Sequence, residues 1–384
     1  MAAIVLNGIT WGHSRGITPL LALSQRYSEL HPEVEIRWKK RTLQEFADFP
    51  IEKLTPDYDL LIIDHPWVGC AAATQCVLPL NDYLPAAYLQ DQAAYSTGLS
   101  HPSYNYNNKQ WALAIDAATP AASYRKDLLQ EPPQTWEELL DLAAKGKVAV
   151  PAIPIDLLMN FYSFCIAQGK EPFLSDEEVI DDTTGVLAIN TMKQLYSRID
   201  RTFFNSNPIA VAELMSATDE YWYCPFAYGY SNYSRKGYAK NLLHYTDVIT
   251  VNGEKLKTTI GGTGLAVSAF SKHKETALDF ATMAVSGECQ RTMYVEHGGQ
   301  PGHRLAWLDE TVNRLTHGYF EKVLPLMERG YMRPRYNGYL YFQDLAGDPL
   351  QDCLLHDGDP LIALSAMNRI YQESKMKNLL TVDA

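Results

Sequence analysis

The chain has 384 residues, 46% hydrophobic, 20% charged and 11% aromatic, which is enough to bury a large core and excludes a disordered tail or a disulfide-stapled miniprotein. At roughly 150 residues per domain, this length predicts about two domains. With 45 acidic against 33 basic side chains the formal charge is −12, which repels phosphate backbones and anionic lipid, so nucleic acid is not an expected partner.

Six cysteines (Cys70, Cys76, Cys165, Cys224, Cys289, Cys353) are scattered singly. Only Cys70 and Cys76 lie close together, at a spacing no common zinc or redox motif uses, so neither a structural metal nor a disulfide framework is expected. The sequence runs from Met1 into Ile4-Val5-Leu6 without a Lys/Arg-led leader, and no stretch reaches the roughly 18 apolar residues of a membrane span. A soluble chain without membrane insertion is expected, cytoplasmic if it begins at Met1 and periplasmic if a leader has been removed.

In chain order, IVLNGIT (4–10) reads as a strand, and TPLLALSQRYSEL (18–30) as a helix with Thr18 as N-cap and Pro19 in the first turn. EVEIRW (33–38) and DYDLLIID (57–64) read as strands, and WVGCAAATQC (67–76) as a short helix, a rhythm that predicts a parallel, helix-covered sheet. The passage QWALAIDAATPAASYRKDLL (110–129) is extended and reads as a crossing between lobes. PPQTWEELLDLAAKGK (132–147) then marks a helix through a Thr135/Glu138 capping box and a Gly146 stop. KVAVPAI (147–153) reads as a strand that restarts the alternation. TTIGGTGLAVSAFS (258–271) is a second crossing, followed by helices over 274–286 and from Ser286 to Gly298. The tail from about Tyr319 is helical, interrupted by a loop at RPRYNGYLYFQ (333–343).

No G-x-S-x-G, H-E-x-x-H, P-loop or EF-hand pattern occurs, which removes the commonest hydrolase and phosphoryl-transfer signatures. GGTGLAV (261–267) matches only the first two glycines of a dinucleotide fingerprint and leads into a strand, so a bend is the better reading. His297 and His303 flank GGQPG, where a turn is preferred to a metal site. Asp64 and His65 end the third strand, either as ligand contacts or as a helix cap beside an ordinary loop residue. Trp11, His13 and Arg15 precede a helix N-terminus, a place suited to gripping an oxygen-rich solute, although Trp11 could pack on the sheet and Arg15 could pair with a surface carboxylate. The 24 tyrosines cluster in YWYCPFAYGYSNY (221–233) and RPRYNGYLYFQ. Tyr228 and Tyr230 suit stacking on a ring, with Gly229 admitting a close backbone; alternating strand tyrosines equally make a core. Arg333 and Arg335 have the fork geometry to clamp hydroxyl pairs or a carboxylate.

Four passages together resemble the family 1 extracellular solute-binding proteins, the maltose-binding-like substrate receptors of ABC importers. They are ITWGHSRGITPLLALSQRYSELHP; DYDLLIIDHPWVG with VLPLNDYL; WALAIDAATPAASYRKDLL with PPQTWEELLDLA; and GGTGLAVSAFSKHKETALDFATMAVSGECQ with GGQPG. The resemblance implies an α/β, two-lobe periplasmic-binding-protein-like fold of type II, each lobe a helix-covered mixed sheet, with hinge crossings near 112–120 and 258–268. The lobes implied are 1–114 with 266–312, and 115–265 with 313–384. They close on a sugar, polyol or related hydroxylated or carboxylated solute. The site implied comprises Trp11, His13, Arg15, Asp64, His65, Trp67, Asp116, Tyr228, Tyr230, Gly262, Thr263, Arg333 and Arg335, with no catalytic residue, metal or cofactor. An ABC permease is the implied partner, and a monomer the implied state. Two alternatives stand beside this receptor: an enzyme using Asp64 and His65 as an acid-base pair, and a cytoplasmic ligand sensor.

Overall fold

The computed structural model describes residues 4–380; Met1, at which the sequence reading starts the chain, lies outside them. Its longer strands, in chain order, are β1 (Ile4–Trp11), β2 (Val34–Arg41), β3 (Leu60–Ile63), β4 (Leu113–Ala118), β5 (Pro120–Tyr124), β6 (Tyr223–Tyr228), β7 (His244–Thr246) and β8 (Gly261–Val267). The chain divides into two compact units. The first takes in the chain up to Ala118, Gly261–Arg314 and Arg335–Asn337; the second takes in Thr119–Ile260, Leu315–Pro334 and the chain from Gly338.

The first unit is built on a five-stranded sheet in the order β2-β1-β3-β8-β4. β1 runs parallel to β2, from Ile4 opposite Val34 to Trp11 opposite Arg41, and parallel to β3. This is the parallel half that the strand-helix alternation predicts, since parallel neighbours need a crossover. β8 is antiparallel to both β3 and β4, which makes the sheet mixed. Leu60, Leu61, Ile62 and Ile63 are all buried, as expected of a central strand covered on both faces. Because β4 and β8 pair with each other from Ala118 opposite Gly261, both belong whole to this sheet. The chain therefore leaves the first unit at 118/119 and re-enters it at 260/261, whereas lobe boundaries at 114/115 and 265/266 would cut both strands.

Helix α1 spans Ser14–Leu30 and starts earlier than Thr18. His13 is its N-cap, in an extended conformation with the side chain accepting from the Arg15 N–H, and Pro19 lies inside the helix. Helix α2 (Val68–Thr74) follows a 3₁₀ turn over His65–Trp67. The helical stretch after Ser286, whose hydroxyl caps it, contains a π-helical turn at Gln290–Tyr294 and stops at Gly298, with φ of 92°.

In the second unit β5 is the centre of an antiparallel sheet ordered β6-β5-β7. The helix Trp136–Ala144 carries both halves of the Thr135/Glu138 capping box. Residues 147–153 do not form a strand: Val148 makes one parallel bridge to Tyr223, and Pro151, which has no N–H, stands in the way of a longer ladder. Helices Pro154–Ala167, Asp182–Tyr196, Gly347–His356 and Pro360–Leu380 pack together around Phe161, Met192, Leu350 and Leu364, all fully buried. The expected loop at 333–343 is shorter, because a helix begins at Tyr339 after Gly338. Among the described residues no helix is long and apolar enough to cross a membrane.

Candidate functional site

The end of β1 and the start of α1 put Trp11, His13 and Arg15 beside one another. Trp11 is buried, the His13 ring stacks on its indole with centroids 5.6 Å apart and planes 13° apart, and the Arg15 guanidinium carbon lies 5.7 Å from the indole centroid. Gly16 is what lets the indole lie there, since a Cβ at that position would stand 2.4 Å from the Trp11 ring. His13 Nδ1 accepts from the Arg15 N–H at 3.0 Å. Burial, helped by the Arg15 charge, pulls the imidazole down to about 4, so it is neutral near pH 7 and suited to accepting at the cap.

Arg15 pairs with a buried carboxylate, Asp116 on β4, and not with a surface one. Its Nε donates to Oδ2 at 2.9 Å and its Nη2 donates to Oδ1, with both side chains almost fully buried. Burial pushes the Asp116 carboxyl up, while the Arg15 guanidinium and the Gln300 backbone N–H pull it back. Thr263 on β8 is the register partner of Asp116 and is buried. The neighbouring Gly262 has φ of 101°, and a Cβ there would lie 2.3 Å from the Asp116 carbonyl oxygen. The GGQPG turn packs on β4: Ala117 N–H donates to the Gln300 carbonyl, and the Gln300 side chain donates back to the Ala117 carbonyl. His297 and His303 belong to the flanks of this turn, and among the described residues no group of three or more His, Cys, Asp or Glu is arranged for a metal.

Asp64 and His65 follow β3. The Asp64 carboxylate accepts from the His65 N–H at 2.8 Å, which caps the 3₁₀ turn, and it lies 3.3 Å from His65 Nδ1. The His65 ring is buried and meets Tyr104 edge to face, at 6.4 Å between centroids. Trp67 is buried as well, and its indole N–H has no acceptor among the described residues.

Arg333 and Arg335 belong to different units: Pro334 ends a segment of the second and Arg335 opens a segment of the first. Arg333 is buried and donates to Gln343 Oε1 at 2.7 Å. Arg335 donates to the carbonyls of Pro102, Ser103 and Asn105 at 3.1, 3.1 and 2.5 Å, tying its segment to the turn that carries Tyr104. Within the second unit, Tyr228 ends β6 half-exposed and its hydroxyl is 3.0 Å from Thr259 Oγ1. Tyr230 is buried against Tyr233, and its N–H reaches the Tyr245 hydroxyl. The group close to Gly229 is the Tyr319 hydroxyl, 2.4 Å from where a Cβ would be, not a passing backbone.

Tyr104 and Gln300 are the residues the sequence reading missed. Tyr104 sits in a polar stretch, HPSYNYNNKQ, without periodicity, and Gln300 was legible only as part of a glycine turn.

Residues 47–302, about two thirds of the chain, match the family described as bacterial extracellular solute-binding protein. A maltotriose-binding protein of Pyrococcus abyssi is 28% identical over 124 residues, 32% of this chain; the match spans 26% of that relative's length. Among solved structures, maltose-bound MalE3 of T. maritima shares 17% identity over 98% of this chain and all of its own, with a TM-score of 0.82. A ribitol-bound ABC transporter solute-binding protein of Agrobacterium radiobacter K84 shares 19% identity over 96% and 98% of the two chains, with a TM-score of 0.81. The maltotriose-binding protein of Thermus thermophilus, bound with maltotriose, shares 20% identity over 97% and 99% of the two chains, with a TM-score of 0.76. At these identities the structural likeness carries the fold, and the sequence match carries the family. The chain belongs to the bacterial extracellular solute-binding proteins.

Proposed function

We propose that the chain is a reversible, non-catalytic receptor for a small polar solute of the sugar or polyol class, that it works as a monomer, and that it serves the permease of an ABC-type importer. The observation that carries this reading is the full-length fold likeness to receptors holding maltose, maltotriose and ribitol, joined to the family match over residues 47–302. The partial relative that binds maltotriose points the same way.

The cluster at the carboxyl ends of β1, β3 and β4 supports a site of this kind. The half-buried His13 ring, backed by the buried Trp11 indole, gives a flat surface for the apolar face of a pyranose, and Arg15 with Asp116 gives donors and acceptors fixed in place before any ligand arrives. Thr263 and the glycine at 262 lie beside Asp116 on the neighbouring strand. Trp67 brings a buried N–H that an incoming hydroxyl can satisfy. The half-exposed Tyr228 ring in the second unit is fit to stack on a sugar in the same manner. Asp64 and His65 are better explained as a cap and a packed ring than as an acid-base pair, because the carboxylate is engaged by the backbone N–H next to it.

Titration calorimetry over a panel of oligosaccharides, polyols and small carboxylates tests the reading. Saturable binding of at least one sugar or polyol is expected, with the ligand recovered unchanged by mass spectrometry. No heat from any member of the panel, or a ligand recovered chemically altered, overturns it.

A further inference from the structure

Two arginines are buried at the carboxyl end of the first unit's sheet, and only one of them meets a carboxylate. Arg15 has Asp116. Arg41, the last residue of β2 and the register partner of Trp11, is 8% exposed, yet its hydrogen bonds go to backbone oxygens alone. Its Nη1 donates to the Glu45 carbonyl at 3.2 Å and its Nη2 to the Ile62 carbonyl at 3.1 Å. Its Nε–H is buried and has no acceptor among the described residues. The Glu45 carboxylate, the nearest acid along the chain, is turned to the cap of the short helix Leu43–Asp48, where its Oε2 accepts from the Thr42 N–H at 2.7 Å and the Thr42 hydroxyl at 3.0 Å.

The surroundings of this guanidinium are aromatic. Its carbon lies 5.2 Å from the centre of the Phe46 ring, and Phe46 in turn lies 6.2 Å from the Trp11 indole. Burial draws the group down only to about 10, so it is a cation at pH 7. A full charge taken out of water is normally paired, because two carbonyl dipoles do not return what desolvation costs. A buried N–H that carries formal charge and lacks an acceptor is the complement of an anion.

We infer that Arg41 is a specificity residue for an anionic group, a carboxylate or phosphate carried by the hydroxylated solute, which accepts from the open Nε–H and neutralises the guanidinium. The inference rests on the receptor reading above and narrows its ligand to acidic sugars and polyol phosphates. A neutral hydroxyl could satisfy the N–H, but it would leave the charge uncompensated. Since Trp11 is the residue opposite Arg41, the anionic group and the sugar ring fall at the same end of one sheet.

The test is titration calorimetry on the full chain with matched pairs: galacturonate against galactose, digalacturonate against galactobiose, and sorbitol 6-phosphate against sorbitol, with acetate and inorganic phosphate as free anions. At least one acidic member should bind about tenfold or more tightly than its neutral counterpart, the scale of a charge-assisted hydrogen bond. A carboxylate and a phosphate are told apart by which pair shows the gap. Arg41→Gln should close that gap and leave the neutral member's affinity unchanged, and Arg41→Lys should restore only part of it, having the charge without the fork. If Arg41→Gln does not fold by circular dichroism, the wild-type pairs decide alone. Neutral members that bind as tightly as acidic ones, Arg41→Gln weakening both members equally, or free anions binding as tightly as the acidic sugars would overturn the inference and leave the receptor reading standing. No heat from any pair would overturn both.

Discussion

Arg15 and Asp116, 101 residues apart in sequence, meet as a two-point ion pair buried within the first unit, joining the start of α1 to β4. A pair taken out of water gains little over an apolar pair, but removing one partner strands the other charge. Asp116→Ala is therefore expected to cost about 3–5 kcal/mol in urea denaturation, whereas Arg15→Met combined with Asp116→Leu should recover most of it. A loss below about 1 kcal/mol for Asp116→Ala, the scale of exposed pairs, would mean that the guanidinium finds water or another anion there.

Gly262 should tolerate no side chain. Its φ of 101° lies where L-residues are strained, and a Cβ would collide with backbone of β4, which cannot swing aside as a side-chain tip can. Gly262→Ala is expected to lower stability by more than the roughly 1 kcal/mol of an ordinary glycine-to-alanine conflict, and to weaken solute binding by moving Asp116. Parallel melts and calorimetry on this variant check both halves.

His13 sets a pH dependence. With its folded pKa near 4 against 6.5 for an unhindered imidazole, the unfolded chain takes up the proton first. The contribution to stability is complete above pH 6.5, drains away as pH falls toward 4, and is then constant, at most about 3 kcal/mol in all. His101, which burial also pulls to about 4, acts in the same window. His13→Asn keeps a capping side chain without the titration, so the difference in unfolding free energy between variant and wild type should change by less than that bound between pH 7 and 4, in the variant's favour at low pH.

The local code of this chain was most legible where a short motif does the whole job. Thr135 and Glu138 cap their helix by mutual side-chain and backbone bonds, and nothing distant is needed. At α1 the same logic pointed to Thr18, but His13 is not among the usual capping residues, and its ring is held in place by stacking on Trp11. Strand formation by 147–153 depends on partners elsewhere in the chain, and the pairing with Trp222 and Tyr223 stays confined to Lys147–Ala149, a single bridge. The sequence marks Arg333 and Arg335 as guanidinium forks and cannot show what they converge on; Arg333 donates to Gln343 and Arg335 to the carbonyls of 102–105, contacts that spacing does not encode. Trp11, His13 and Arg15 lie together because strand, loop and helix follow one another without a break, whereas Tyr104 meets His65 and Gln300 meets Ala117 only through the folded sheet.

Asp156 makes the opposite pH prediction in the second unit. It lies in the first turn of the helix Pro154–Ala167, its Oδ2 is buried with no hydrogen-bond partner among the described residues, and burial raises the carboxyl to about 8. The fold therefore holds the proton more tightly than the unfolded chain does. Stability from this group is complete below pH 3.8 and is lost progressively as pH rises toward 8, beyond which the loss is constant. Asp156→Asn, nearly isosteric and never charged, should match wild type below pH 4 and exceed it by on the order of a few kcal/mol at pH 8. Denaturant titrations at pH 4, 6 and 8 resolve this from the His13 effect, because the two groups move stability in opposite directions between pH 4 and 6.5. A gain that is equal at all three values would mean that Asp156 is neutralised by some contact other than a proton.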